Sequence, residues 1–296
     1  MSESAESEKN ERATSHVGEI VENRFEIEKH IGTGGMATVY RAKHLHVDLN
    51  VAIKILNRDE MNEKDIERLK REAKVLNSIF HPNVVKVYSF GFLESGAPYL
   101  VLDLLDGKSL DQMIQSEKCL PIVWLLRAFD QICEGLICAH ESGLVHRDLK
   151  PSNIMVVKPD EDGAFIKLLD FGIARSLVTA PSEQKLTRHG EIFGSPLYMS
   201  PEAIQGKEMD HRSDIYAFGC LMYESITGVP PFIGNNVIMT FMKHMTEQAK
   251  PMAELTPGLR IPAEIEAIVA HCMRKDPDAR YQSVADVYKD LKEVKL

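Results

Sequence analysis

His146-Arg147-Asp148-Leu149-Lys150-Pro151-Ser152-Asn153 places an acid, two side-chain cations and an amide within eight residues. A proline inside such a string favours a rigid loop over the interior of a helix or strand. In that loop Asp148 can act as a base toward a hydroxyl. Lys150 can lie beside a phosphoryl group in transit, and Asn153 can offer an amide oxygen to a divalent metal. The plain alternative is a polar surface loop with ordinary charge pairs. Against it stands Asp170-Phe171-Gly172, which follows a predicted strand and supplies a second oxygen donor.

Working outward, residues 121–141 form a strongly apolar helix (Trp124, Leu125, Phe129, Ile132, Leu136) that reads as core, with His140 at its end as a structural histidine. Strands are predicted near Ile154–Val157 and Phe165–Leu169. Between Asp170 and Glu202 the chain turns polar, carrying Ser176, Thr179, Ser182, Lys185, Thr187, Arg188 and His189, as a mobile functional loop would. Gly194-Ser195-Pro196-Leu197-Tyr198-Met199-Ser200-Pro201-Glu202 closes that loop. Helices follow over Ser213–Thr227, 236–247, 262–274 and 284–292.

Toward the N-terminus, Val51-Ala52-Ile53-Lys54-Ile55-Leu56 alternates as a strand, with Ala52, Lys54 and Leu56 on one face. A lysine among such neighbours needs a partner. The predicted helix 63–79 has a buried stripe of Ile66, Leu69, Ala73 and Leu76, with Glu72 at its edge. Glu72 can therefore turn toward Lys54, or lie in solvent among Lys70, Arg71 and Lys74. Strands are also predicted at Val84–Tyr88 and Pro98–Leu102, followed by Asp103-Leu104-Leu105-Asp106-Gly107 as a short hinge. Earlier still, Ile31-Gly32-Thr33-Gly34-Gly35-Met36-Ala37-Thr38-Val39-Tyr40 joins two strands through glycines, a hairpin whose backbone can come close to phosphates. A hairpin is the wrong context for a dinucleotide fingerprint, which opens a helix.

Composition sets the bounds. The 296 residues are 44% hydrophobic, enough for a sizeable core or for two lobes. A net charge of −9 argues against non-specific nucleic-acid binding. No run is long enough to cross a bilayer, and the start of the chain lacks a secretory or organelle signal, so a cytoplasmic location is expected. The five cysteines (Cys119, Cys133, Cys138, Cys220, Cys272) form no C-x-x-C pair and read as buried thiols. Residues 1–23, with six acidic and two basic residues and no aromatic, read as a disordered leader.

These motifs, in this order, closely resemble the protein kinase family, specifically the bacterial eukaryotic-like serine/threonine kinases. The resemblance covers about residues 24–293. It implies an α+β, bilobal fold: a β-rich N-lobe with one helix (24–102), a hinge (103–107) and a mainly helical C-lobe (108–293), with ATP and Mg between the lobes. The implied ATP site comprises Ile31, Gly32, Thr33, Gly34, Gly35, Met36, Ala37 and Val39 of the glycine loop. It also takes in Ala52 and Met155 around the adenine, Lys54 held by Glu72 on the phosphates, and hinge residues Asp103 and Leu105. Ala37 is a departure, since the family places a third glycine there. Asp148 would accept or orient the substrate hydroxyl proton, and Lys150 would neutralise the transferred group. Asn153 and Asp170 would hold Mg, with Mn an alternative that oxygen ligands suit equally. Such chemistry rests on positioning and electrostatics, because the transition state spreads negative charge over phosphate oxygens.

The resemblance carries five further expectations. Lys150 two residues after Asp148, with Ser195 in the substrate loop, points to Ser/Thr rather than Tyr acceptors in protein substrates. Glu202 should pair with Arg280 as a buried bridge, and Asp214 should hold the backbone at His146 and Arg147. Arg147 should pair with a phosphate on the loop after Asp170, for which Thr187 is the first candidate, then Thr179 and Ser182. Autophosphorylation in trans, through self-association, would supply that phosphate. The rival readings are a pseudokinase or scaffold that binds ATP without transfer, and a small-molecule phosphotransferase. The first is weakened by the presence of Lys54, Glu72, Asp148, Asn153 and Asp170, the second by Gly194–Glu202.

Overall fold

The computed structural model describes residues 16–34, 37–57, 63–117, 120–160, 163–172 and 196–295. Two compact units partition the chain, one of residues up to Phe80 plus Val85–Leu105, the other of His81–Val84 plus Asp106 onward.

The first unit is a six-stranded antiparallel sheet in the order β1-β2-β3-β4-β6-β5, with one helix described. Its strands are β1 (Ile20–Val21), β2 (Phe25–Thr33), β3 (Ala37–His44), β4 (Asn50–Leu56), β5 (Val87–Phe92) and β6 (Pro98–Asp103). Helix α1 (Glu63–Ser78) buries Leu69, Ala73 and Leu76, three of the four residues of its expected stripe. β4 lies between β3 and β6, so Val51, Ala52, Ile53, Ile55 and Leu56 are buried on both faces and only Lys54 is partly open inside the strand. The sheet curls around Phe25, Ile27, Tyr40, Ile53, Tyr99 and Val101.

Glu22 brings the two edges of that sheet together. It sits with Asn23 in the β1–β2 turn, both left-handed (φ 54° and 53°), closed by Arg24 N donating to Val21 O at 3.0 Å. From the turn its carboxylate accepts from Ser89 of β5 and, at 3.0 Å, from Tyr99 of β6. Burial would raise this carboxyl, but those hydroxyls and Arg24 outweigh it and hold the pKa below its ordinary value. Order therefore starts earlier than composition predicts. Residues 16–23, expected to belong to a disordered leader, form a turn and β1, with Val21 3% exposed in the core. The acidic average of residues 1–23 conceals Val17, Ile20 and Val21 at its end.

The second unit begins with β7 (Gly107–Ser109), which pairs with β8 (Ile154–Asp160), and β8 with β9 (Gly163–Leu168). Its helices are α2 (Leu110–Glu117), α3 (Ile122–Glu141), α4 (Pro201–Ile204), α5 (His211–Thr227), α6 (Val237–Thr246), α7 (Met252–Leu255), α8 (Ala263–Cys272) and α9 (Val284–Glu293). α3 and α5 form the centre: Leu125, Phe129, Ile132 and Leu136 are buried, as is nearly all of α5. Gly107 is required where β7 meets β8. A Cβ there would lie 2.1 Å from the Val156 backbone oxygen, which has no freedom to retreat. Gly107→Ala should therefore cost about 1–3 kcal/mol, read as a lower midpoint of thermal unfolding.

One strand differs from expectation. Val84 and Val85 read as the start of a strand running to Tyr88, but β5 spans Val87–Phe92. Val84 instead forms an isolated bridge with Leu168, and Asn83 ties in beside it, donating to Ile166 O at 2.8 Å and accepting from Leu168 N at 2.8 Å. Lys86 interrupts Val84, Val85 and Val87, and this short pattern does not mark where pairing begins. Among the described residues no helix is long and apolar enough to cross a membrane.

Candidate active site

The loop 146–153 is anchored from below by one carboxylate. α5 starts at Asp210, whose side chain accepts from Arg212 N at 2.8 Å. Asp214, in the first turn, is 1% exposed. Its oxygens accept from His146 N at 2.7 Å, Arg147 N at 2.8 Å and His140 Nε2 at 2.8 Å. Burial would raise its pKa, but the bonds from His140 and the loop backbone outweigh that and hold it low. The anion is also favoured by its place at a helix N-terminus. His140 is thus satisfied by Asp214. Arg147 holds a left-handed backbone (φ 61°), a conformation uncommon outside glycine that the two loop-to-Asp214 bonds fix in place.

Asp148, one residue on, is presented with its carboxylate half-open. Its Oδ2 accepts from Lys150 Nζ at 2.9 Å and Asn153 Nδ2 at 3.1 Å, while its backbone oxygen takes Asn153 Nδ2 at 2.8 Å. Pro151 starts a 3-10 turn, Pro151–Asn153, that folds Asn153 back onto Asp148. With its NH2 committed to Asp148, the amide of Asn153 turns its oxygen elsewhere. Asn153 O also accepts from Leu169 N at 2.8 Å, and His146 O accepts from Gly172 N at 2.6 Å. Those bonds fasten the Asp170-Phe171-Gly172 segment to the loop. Phe171 is 2% exposed and packs on the His146 ring at 4.6 Å between centroids. Burial lowers the His146 pKa further than the carboxylates of Asp214, Asp148 and Asp170 raise it, so the ring is neutral. Asp170 carries a left-handed backbone (φ 52°) and an exposed side chain.

A hard divalent cation fits this donor set, because an amide oxygen and a carboxylate are the ligands such ions prefer. No group of three His, Cys, Asp or Glu that could hold a metal occurs among the described residues. Asn153 and Asp170 offer an amide oxygen and a carboxylate from segments that the Leu169 N–Asn153 O bond ties together.

In the first unit, β2 and β3 form the glycine hairpin, pairing Gly32 with Val39 and Thr33 with Thr38, and Gly34 N donates to Ala37 O at 2.8 Å. Ala37 is 6% exposed and pairs with Leu56, so its methyl is packed into the sheet. Ile31 is 49% exposed on the other side. On β4, Ala52 faces Leu102, and Lys54 lies between Val39 and Leu100. Glu72 is half-buried on α1, its Oε1 3.9 Å from Arg68 Nε. Asp103 closes β6 and accepts from Tyr88 OH at 2.7 Å, and Leu105 ends the unit. Met155 is on β8 in the second unit, paired with Ser109. Gly35, Met36, Thr179, Ser182, Thr187, Ser195 and Cys119 lie outside the described residues.

Glu202 and Arg280 meet as a bidentate ion pair, 2.8 Å at Oε1 and 2.7 Å at Oε2, with Ser213 Oγ donating to Oε1 at 2.7 Å. Ser213 was not singled out from the sequence, and a lone serine at a helix start offers no signal for such a contact. The same holds for the buried pair in which Tyr198 donates to Glu224. Burial lifts the Glu224 carboxyl above its ordinary value.

A family model described as Protein kinase domain matches residues 25–290. Serine/threonine-protein kinase pkn3 of Myxococcus xanthus is 36% identical over 275 residues, 93% of this chain and 50% of that protein. Serine/threonine-protein kinase PknB of Mycobacterium leprae is 33% identical over 273 residues, 91% of this chain and 42% of that protein. The chain thus spans half or less of the length of these curated relatives. Among solved structures, the PknI kinase domain of Mycobacterium tuberculosis aligns with TM-score 0.72 at 22% identity, covering 94% of this chain and 97% of that one. Rad53 1-466 in complex with AMP-PNP aligns with TM-score 0.74 at 24% identity, covering 90% and 64%. At those identities the structural likeness speaks of fold alone, and the fold is the bilobal one of protein kinase domains. Taken with the sequence matches, which run through both units, it leaves one assignment: the chain belongs to the protein kinase domain family, among relatives named as bacterial serine/threonine kinases.

Proposed function

We propose that this chain transfers the γ-phosphate of ATP to Ser and Thr hydroxyls of proteins. The observation that carries the reading is Asp148 held by Lys150 and Asn153 on a loop that Asp214 pins at two backbone amides. A carboxylate fixed this way can take or orient the proton of an incoming hydroxyl. Lys150, already 2.9 Å from it, supplies a positive charge where negative charge develops on the phosphoryl oxygens. Lys54 would bind the nucleotide phosphates, with Glu72 as its partner. The hairpin Ile31–Val39 would cover the phosphates, and Ala52, Met155, Asp103 and Leu105 would receive the adenine. Asn153 and Asp170 would hold Mg, with Mn as the alternative, and the ion would neutralise phosphate charge.

The acceptor class follows from Lys150 and from the relatives' names as serine/threonine kinases. Thr187 is the first-choice site of regulatory self-phosphorylation, before Thr179 and Ser182, with Arg147 as the receiving cation. Ser195 belongs to the substrate loop, and a cytoplasmic location goes with this activity. The test is label transfer from ATP by purified protein, with Mg or Mn and with EDTA, to itself and to a generic Ser/Thr protein, followed by site mapping. Metal-dependent label on Ser or Thr is the expected result. ATP binding with no transfer to either acceptor would favour the scaffold reading.

A further inference from the structure

Apolar side chains exposed one at a time are ordinary on a protein surface, but a group of them on one firm base is not. Ile233, Ile238, Met239 and Met242 are 53%, 72%, 47% and 51% exposed. Ile238 and Met242 stand one turn apart on α6, with Met239 beside them. Ile233 joins them through the backbone. A Cβ added at Gly234 would lie 2.6 Å from Met239 Cβ, so the chain leaving Ile233 runs directly against that residue. The four side chains therefore form one patch.

Its base is fixed. α6 starts at Asn236, whose side chain accepts from Met239 N at 2.9 Å. Thr240 Oγ1 accepts from Gly234 N at 3.0 Å and donates to Asn236 O at 3.1 Å. His244 is fully buried, 2.9 Å from the Tyr216 hydroxyl of α5, with its ring 4.8 Å from that of Phe232. Val237, Phe241 and Met245 are partly buried on the same side. The helix is thus docked along one face, and its opposite face is held open to solvent by that docking.

Charge indicates what such a patch can meet. Residues 225–242 contain no Asp, Glu, Lys or Arg, and no other stretch of the chain runs as long without one. The next charge, Lys243, is paired with Glu247 at 3.4 Å. A face for nucleic acid or an anionic bilayer would be basic, and one for a charged polypeptide would carry the opposite sign. A second copy of this chain makes the reverse demand. Each copy has a net charge of −9, so two copies meet most easily where neither is charged. Two-fold contact also sets a patch against itself, which an uncharged apolar surface satisfies. Antiparallel α6 helices would place Ile238 of one copy against Met242 of the other, and methionine adapts its shape to such a neighbour.

We propose that two copies of this chain associate through a two-fold contact between their Ile233, Ile238, Met239 and Met242 patches. The patch offers about a few hundred Å² against roughly 800 Å² per partner in a standard interface, so the dimer is reversible, with a Kd on the order of tens of micromolar. The proposal is independent of the kinase reading, because the contact uses no residue of the active-site loop.

Sedimentation of the purified chain from about 1 to 200 μM should show monomer passing into dimer across that range. Ile238→Lys should raise Kd at least about tenfold, since the two-fold buries the new charge twice. Ile238 is 72% exposed, so the thermal midpoint should stay at the wild-type value. Met242→Lys should weaken association in the same way, which keeps the result from resting on one variant. A one-to-one mixture of Ile238→Lys and Ile238→Glu should associate more tightly than either alone, because opposite charges then face each other across the contact. Wild-type protein that stays monomeric to about 200 μM overturns the proposal. So does a dimer that both lysine variants leave unchanged, which would lie on another face. Monomeric wild type that binds phosphatidylcholine vesicles, with binding lost in Ile238→Lys, would assign the patch to a lipid surface and overturn the dimer as well.

Discussion

Asp148→Asn should lower kcat for phosphate transfer about a thousandfold, within the range a positioned general base contributes, and leave ATP affinity unchanged. Asparagine has nearly the same volume, and its amide oxygen can still accept from Asn153 Nδ2, so the loop geometry should persist. What disappears is the negative charge and the capacity to take a proton. Lys150 loses its anionic partner at 2.9 Å as well, so its ammonium is left to the phosphoryl oxygens alone. Asp214 still pins His146 and Arg147, because none of its bonds involves the Asp148 side chain. Single-turnover transfer measured beside nucleotide binding checks both halves. Transfer within about tenfold of wild type would remove Asp148 from the role of base and leave it as a loop residue. Weaker ATP binding in proportion to the lost rate would instead mean that the substitution had disturbed more than the proton acceptor.

The site was legible where its chemistry is contiguous. Asp148, Lys150 and Asn153 fall within six residues, and a 3-10 turn that a proline announces folds the third onto the first. The α1 and α3 stripes were equally open to periodicity, since each helix packs one continuous apolar face. The parts that stayed hidden depend on contacts between distant residues. β1 is two residues long and was masked by the acidic composition before it, and its docking depends on Glu22 reaching strands more than sixty residues away. Val84 is buried where it bridges Leu168 of β9, a contact that no alternation within 84–88 encodes. α6 buries Thr240 and His244 on a face they share with the partly buried Val237, Phe241 and Met245, while Ile238 and Met242 stay exposed, and nothing in the run of apolar residues says which of them face inward. Ser213 and Tyr216 were invisible for a related reason, because the signal for a polar contact lies in its partner.

Arg280→Ala should destabilise the folded protein by about 3–5 kcal/mol, the cost of stranding one member of a buried ion pair. All five N–H groups of this guanidinium are engaged. Two meet Glu202, and the rest serve the backbone oxygens of Arg274, Arg212 and Lys275 at 2.7, 2.9 and 3.0 Å. Its side chain is 0% exposed, and its guanidinium lies 4.9 Å from the Tyr216 ring centroid. Alanine therefore leaves a buried carboxylate with Ser213 as its remaining side-chain donor and three carbonyls short of a partner. Arg280→Lys should recover only part of the loss, because one ammonium cannot span both carboxylate oxygens and those carbonyls. The pH dependence separates the ion pair from simple packing. Burial would raise the Glu202 pKa, but the bonds from Arg280 and Ser213 outweigh it and hold it below 4.5. The wild-type pair thus contributes stability that is fully present above the ordinary carboxylate value and is lost as pH falls through the lower folded one. Without Arg280, burial governs, and Glu202 should take up a proton at a pH above that ordinary value. Protonation removes the stranded charge, so the gap between variant and wild type should narrow as pH is lowered from about 7 to about 4. Urea unfolding across that range measures it. A gap that stays constant would assign the loss to the cavity and the unpaired carbonyls rather than to the charge. Replacing both partners by apolar residues of similar volume should then recover much of the charge-derived loss but none of the carbonyl-derived part, which only the guanidinium serves.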